Sequence, residues 1–314
     1  MKRILCIILA AAATLLAASC TKEAGCFGTC SDTVEARFNL GFAGTLTKAF
    51  SDGLSATQLI VGVYDRQLGY LSSLSIAPDA TGYKNAFSQF QAAYSVRLVK
   101  GHGYDIVFLA VAPDNDVYTV DLANKTLTAK TDGPSNVEAR DAFYAVCSID
   151  RVTEAAEQNV TLKRPLAQIN VITNKADYEV ALAAGVTFGK SSLNIKAPKV
   201  LNLLDGTVGE SVDYSLTPEV MPQSNPDFAP YDANGDYWIL TDYILAGSDG
   251  GNADVTFGVY AEGENSELYS HSVPNVPLKR NWRTNIVGDV LTVNNNFVLT
   301  VVPSFDGEEQ PVQL

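Results

Sequence analysis

Thr33–Phe42 reads TVEARFNLGF. Val34, Ala36, Phe38, Leu40 and Phe42 alternate with Glu35, Arg37, Asn39 and Gly41. Successive side chains of a strand point to opposite faces, so this spacing predicts a strand with one buried face. The alternation decides the fold class, because the same kind of segment recurs along the chain.

Downstream, Gly44–Gly53 breaks the pattern with Gly, Ser and Asp and reads as a loop. Gln58–Asp65 (QLIVGVYD) and Tyr104–Ala112 (YDIVFLAVA) are β-prone apolar runs, the second reading as a central strand. Tyr83–Tyr94 fits either a short helix or a bent strand. Val117–Asp121, Leu127–Lys130 and Ala142–Ile149 are further strands. Asn159–Thr173 (NVTLKRPLAQINVIT) is a long β segment broken at Pro165. Proline cannot donate to a ladder, so the chain bends or changes sheet there, and the domain junction is placed at this break. Asn174–Ala184 is the one tidy helix, with Asn174 as cap and Tyr178, Val180 and Leu182 as its apolar stripe. Four prolines make Thr217–Asp236 an extended loop. Tyr237–Ala246, Val255–Ala261, Glu267–His271, Thr284–Thr292 and Phe297–Val302 complete the second half. The chain is therefore expected to be all-β, built as tandem sandwich domains over 33–158 and 159–314, with few short helices.

Upstream, the first residues are of another kind. Lys2 and Arg3 precede an apolar run, Ile4–Leu16, too short to span a bilayer, which takes about 20 residues. Residues 1–19 read as a secretory signal. Leu16-Ala17-Ala18-Ser19-Cys20 resembles a bacterial lipobox, in which Cys20 is acylated and becomes the new N-terminus. Each buried lipid CH₂ contributes about 0.8 kcal/mol, so two or three acyl chains anchor a protein without a membrane helix. Residues 20–32 are small and polar, a tether between lipid and fold.

The 314-residue precursor has a formal net charge of −13, and loss of Lys2 and Arg3 makes it more negative still. An acidic surface repels phosphate backbones, which argues against a nucleic-acid partner. In an oxidising compartment Cys26 and Cys30 could bridge, leaving Cys147 unpaired in an apolar strand as a small buried hydrophobe. With no second pair and no nearby histidine, Cys26 and Cys30 do not make a metal site.

The sequence carries no catalytic motif. His102, between two glycines, and His271, between two serines, read as exposed polar residues. No nucleophile elbow, HExxH or phosphate-binding loop is present. Asp232–Asp236 begins like a calcium loop but lacks the later glutamate and reads as a turn. Tyr231, Tyr237, Trp238 and Tyr243 form an aromatic cluster; Trp238, Tyr237 and Tyr243 are the candidates for stacking on a sugar. No metal or cofactor is expected, and the chain reads as a binding or structural protein rather than an enzyme.

Four segments resemble the fimbrillin family of Bacteroidales, the lipoprotein subunits of type V pili. They are Thr47–Phe50 (TKAF), Gln58–Asp65, Asn159–Val171 and Val276–Thr292 (VPLKRNWRTNIVGDVLT). The resemblance implies two transthyretin-like β-sandwich domains and delivery to the outer membrane and cell surface. It also implies removal of the N-terminal segment with its first strand by a trypsin-like protease. The candidate cleavage residues are Arg37 within the strand and Lys48 in the loop after it. Such a cut would expose an unpaired edge and an apolar groove, which a strand from another subunit could fill. The C-terminal tail, 296–314, can serve as donor, with Phe297, Leu299 and Val301 on one face. It can equally be the last strand of its own sandwich. The expected function is a structural subunit of a fimbria, whether stalk, tip or accessory, serving adhesion. Its partners would be other fimbrial subunits and the outer membrane through lipid. The alternative is a monomeric surface lipoprotein that binds glycan or a host protein. A hydrolase with a spatially assembled site is a third reading.

Overall fold

The stretch Thr33–Phe42 is a strand, β1, with Ala36, Phe38 and Leu40 buried and Arg37 and Asn39 exposed. The structure, a computed structural model, describes residues 32–43, 52–114, 116–221, 237–292, 297–303 and 310–311. After β1 come β2 (Gln58–Asp65), β3 (Gly69–Tyr70), β4 (Gln91–Val99), β5 (Tyr104–Val111), β6 (Tyr118–Asp121) and β7 (Thr126–Ala129). Then follow β8 (Ala142–Ile149), β9 (Ala156–Leu162), β10 (Leu166–Thr173), helix α1 (Lys175–Ala183), β11 (Phe188–Pro198), β12 (Val200–Asn202) and β13 (Ser211–Glu219). The last are β14 (Tyr237–Leu245), β15 (Gly251–Ala261), β16 (Tyr269–Leu278), β17 (Arg283–Gly288), β18 (Phe297–Val302) and β19 (Gln310–Pro311). The all-β expectation is borne out.

Among the described residues the strands form five sheets: β4-β1-β9, β3-β2-β5-β8, β12-β7-β6, β14-β10-β17-β18-β19 and β13-β11-β15-β16. Two hydrophobic clusters hold them. In the first, Phe38 and Leu40 of β1 meet Tyr94 and Leu98 of β4, Val61 of β2, Phe108 of β5 and Leu162 of β9. In the second, Ile60 and Leu109 from the opposite faces of β2 and β5 join Leu193, Phe257, Leu240, Ile286 and Leu299 of the two C-terminal sheets. β2 and β5 are thus buried on both faces, which is why their sequences are unbroken apolar runs while β1 alternates.

Backbone bonds stitch the two halves. β12 pairs with β7. Ser215 N donates to Thr131 O and Thr217 N to Gly133 O, at 2.9 and 2.8 Å, so the segment after β7 continues the β13 edge. β9 runs through position 158/159 alongside β1. The change of sheet comes at the proline, between β9 and β10, as expected of a residue that lacks the N–H a ladder needs. Thr33–Leu314 forms one compact unit.

Four expectations are corrected. Tyr83–Tyr94 is neither a helix nor one bent strand: a single 3-10 turn covers Thr81–Tyr83, and β4 begins at Gln91. Gln89 and Phe90 turn the chain there at φ 49° and 66°, without the glycine that usually marks such a turn. Ser211–Glu219 is a strand, so Thr217–Glu219, expected as the start of a loop, end β13 instead. On α1, Val180 and Leu182 face out, and the buried residues are Ala181 and Asp177. Asn174 occupies the cap position, but its side-chain amide donates to Asp289 instead of to the helix. Finally, the histidines are not exposed polar residues. His271 is buried with Nε2 2.9 Å from the Val290 carbonyl oxygen, and His102 Nδ1 lies 2.6 Å from Asp65 Oδ2.

Candidate functional site, the slot held by the first strand

β1 lies in the middle of its sheet. It pairs antiparallel with β4, Phe38 opposite Tyr94, and parallel with β9, Phe38 opposite Gln158. Its two neighbours share no ladder with each other, so every backbone bond of this sheet passes through β1. Inward, Phe38 is 1% exposed, with its ring 5.2 Å from Phe108 and 6.1 Å from Tyr94. At the strand's end, Phe42 stacks on Phe143 and is flanked by Phe87 at 4.7 Å and Phe90 at 6.1 Å. Outward, Asn39 donates to Glu157 and to Asn159 of β9. Taken away, β1 would leave a slot with aromatic subsites at Phe38 and Phe42 and two unpaired edges of opposite direction.

Arg37, one cleavage candidate, carries an exposed side chain that bonds Glu35 at 3.1 Å and holds that carboxylate below its usual range. Its backbone is a different matter, since it is paired with Ser95 on one side and Glu157 on the other. A protease needs an extended, unpaired chain, so a cut at Arg37 requires β1 to open first. The other candidate, Lys48, lies outside the described residues, as do Cys20, Cys26, Cys30, Tyr231 and Asp232–Asp236.

The donor candidates sit in β18, which pairs with β17 along its length and, among the described residues, with β19 at Thr300 and Val301. Leu299 is buried, Val301 is half-buried, and Phe297 packs edge-on against His271 at 5.4 Å. Val298, on the other face, is 60% exposed. In this structure β18 therefore belongs to the sheet of its own chain.

The stacking candidates do not share one open face. Tyr243 is 2% exposed, with its hydroxyl donating to Glu138, so its ring is closed to a ligand. Tyr237 already stacks on Tyr178, ring centres 3.8 Å apart. Trp238 packs half-buried against the larger core. A pocket of about 280 Å³ opens elsewhere, beside β2 and β5, where Lys84 and Asp114 pair with each other at its wall. Among the described residues no three His, Cys, Asp or Glu side chains are placed to hold a metal ion.

Sequence reasoning missed three buried polar centres, all assembled from distant segments. Arg164 Nε and Nη2 donate to the two Asp141 oxygens, each at 2.7 Å. Asp177 accepts from the Leu291 amide and from the hydroxyls of Thr173 and Thr292. Asp242 accepts from the Asn136 amide. The only signal available was a charge inside an apolar run.

The sequence model of a family described as "Family of unknown function (DUF6562)" matches residues 45–313. No curated protein matches the chain by sequence. Among solved structures it is similar to a fimbrial assembly protein from Parabacteroides distasonis, with 12% identity and TM-score 0.46 over 89% of this chain and 98% of that one. It is also similar to a putative adhesin from Bacteroides thetaiotaomicron (14%, TM-score 0.49, 88% and 97%). A third is the fimbrial anchor protein Mfa2 from Porphyromonas gingivalis (10%, TM-score 0.45, 88% and 98%).

Proposed function

The chain belongs to the DUF6562 family, a family of unknown function, and from that premise we propose that it is a non-enzymatic subunit of a surface fimbria. It is exported as a lipoprotein through Cys20 to the outer membrane and joins other subunits by exchanging β1 for a strand from a neighbour. The observation that carries this reading is the place of β1. It follows directly on the tether, it is the middle strand of its sheet, and three of its side chains are buried in the first core. One cut in the stretch that joins β1 to β2 would leave it held to the rest of the fold by its ladders and side-chain contacts alone. The slot left behind presents two edges and apolar subsites, which an extended segment satisfies with main-chain bonds and alternate side chains. The fimbrillin-like motifs and the lipobox support the same reading.

Limited trypsin digestion of non-acylated 20–314, followed by unboiled SDS gel electrophoresis, tests it. A single cut near Lys48 or Arg37 with an SDS-resistant ladder is the expected result. A cut without a ladder would assign a tip or accessory role that needs a different partner. An uncut, lasting monomer would overturn exchange and favour the lipoprotein that binds glycan or a host protein.

A further inference from the structure

We propose that the two Leu-Lys-Arg turns of the chain form a binding site for a carboxylate-bearing sugar, independently of strand exchange. The turns are a repeat. Asn159-Val160-Thr161-Leu162-Lys163-Arg164 and Asn275-Val276-Pro277-Leu278-Lys279-Arg280 agree at every position but the third. One leads from β9 into β10 and the other from β16 into β17, and β10 and β17 lie side by side in parallel. The fold therefore brings the two copies together. Asn281 N donates to Leu166 O at 2.7 Å, and Gln168 N to Trp282 O at 2.9 Å.

The two arginines have different surroundings. Arg164 is buried on Asp141. Arg280 donates to the carbonyl oxygens of Ala246 and Gly206, at 3.2 and 2.6 Å, and sits 5.8 Å from the centre of the Tyr144 ring. Among the described residues no carboxylate lies within ion-pair distance of it. Asp205 and Asp249, in the flanking turns, accept from Thr207 and Ser248 instead. The seat is built around a glycine, since a Cβ on Gly206 would stand 2.5 Å from the Tyr144 hydroxyl oxygen. In a chain with 35 acidic residues against 22 basic ones, counter-ions are plentiful. A half-buried guanidinium that takes none is open to an incoming anion.

Lys163 is exposed and stands directly opposite Tyr144, joined to it by two backbone bonds, so both side chains rise on one side. Lys279 Nζ lies 4.5 Å from the centre of the Trp282 ring, and Trp282 is half-buried yet belongs to neither hydrophobic cluster. Cations beside a surface indole select a ligand with an anion and an apolar ring face. A sugar acid has both: its C–H face lies on the indole, and its carboxylate takes the fork of Arg280. An acidic peptide has the anion, but an extended peptide docks through main-chain bonds. Here those are taken, Tyr144 with Lys163, Asn281 with Leu166, Gln168 with Trp282 and Arg280 with Gly247. A single carboxylate also escapes the repulsion that an acidic surface exerts on a polyanion.

The chain has two tryptophans, so in a Trp238→Phe background the fluorescence of non-acylated 20–314 reports Trp282 alone. Titration with methyl glucuronide is expected to give a saturable change. Methyl glucoside, the same ring without the charge, should bind about tenfold more weakly, and so should the glucuronide to Lys163→Gln or Arg280→Gln protein. Lys163 is exposed, so its variant serves if loss of Arg280 disturbs the seam. Lys196→Gln, at an exposed position on β11, should change nothing. No saturable change, equal affinity for the glucoside, unchanged affinity in both site variants, or an equal loss with Lys196→Gln would overturn the site. Tighter binding of the peptide Glu-Glu would assign it to an acidic protein and overturn the sugar. None of these results depends on the SDS-resistant ladder, so the site and strand exchange stand or fall separately.

Discussion

The ring of Phe42 lies flat on that of Phe143, centres 4.0 Å apart and planes within 3°. The guanidinium of Arg164 sits 4.4 Å from the centre of the same Phe143 ring. The last residue of the first strand is therefore fastened to a strand of the opposite sheet, and a cation presses on that fastening. Truncation at this point removes a half-buried ring and its partner contact. Phe42→Ala is expected to cost about 2–3 kcal/mol, and Phe42→Leu about half of that, as shifts in the urea midpoint at unchanged slope.

Behind that ring, Arg164 and Asp141 form a pair with side chains 1% and 0% exposed. Breaking a buried pair leaves an uncompensated charge, so Arg164→Leu alone should cost about 3–5 kcal/mol. Replacing both partners, Arg164→Met with Asp141→Leu, removes the charge along with the attraction and should recover most of the loss. A double-mutant cycle by chemical unfolding measures the difference.

Asp242 carries a prediction in pH. Burial pushes its carboxyl up to about 7, against the lowering by the Arg140 guanidinium and the Asn136 amide. The folded protein therefore holds this proton more tightly than the unfolded chain, whose aspartates titrate near 4. The stability it contributes is fully present below about pH 4 and is lost as pH rises through about 7. Asp242→Asn, which keeps the neutral shape, should match the parent at pH 4. Above pH 7 it should be more stable by an amount on the order of 3–4 kcal/mol. Unfolding free energies of both proteins at pH 4, 6 and 8 check the sign; a gap that is constant in pH would exclude it.

Asp177 ties helix α1 to the chain just before the C-terminal strand, accepting the Leu291 amide at 2.7 Å and the Thr292 hydroxyl at 2.6 Å. Asp177→Ala strands these donors in a buried site, at a cost of about 2–3 kcal/mol. Amide exchange at Leu291 should accelerate far more than that at Phe108, in the first core. Equal acceleration at both would show general destabilisation instead of a local release.

How much of this was legible follows from the kind of signal each element carries. β1, β2, β8 and β18 have the bounds read from the sequence, because alternation and two-face burial both leave local patterns. β4 was obscured because Gln89 and Phe90 make its entry turn at positive φ without a glycine. On α1 the pattern pointed the wrong way: Val180 and Leu182 look like a core stripe, yet the helix turns Asp177 inward because three donors from elsewhere satisfy its carboxylate. The slot was half legible. Its occupant is a pattern in one segment, whereas its walls come from β4 and β9, whose juxtaposition is set by topology that no local window contains. Tyr243 shows the same gap in reverse, an aromatic in a promising cluster that the fold buries.

The ladder between β12 and β7, with the Thr131 and Gly133 carbonyls bonded to β13, has a mechanical consequence. In the fimbria proposed above, a subunit would be pulled from its ends. Tension that would part the halves must first shear backbone bonds that cross from one to the other, and these yield together instead of one at a time. Stretched singly in a force spectrometer, Thr33–Leu314 should rupture in one event with a single contour-length increment, where two independent beads on a string would give two.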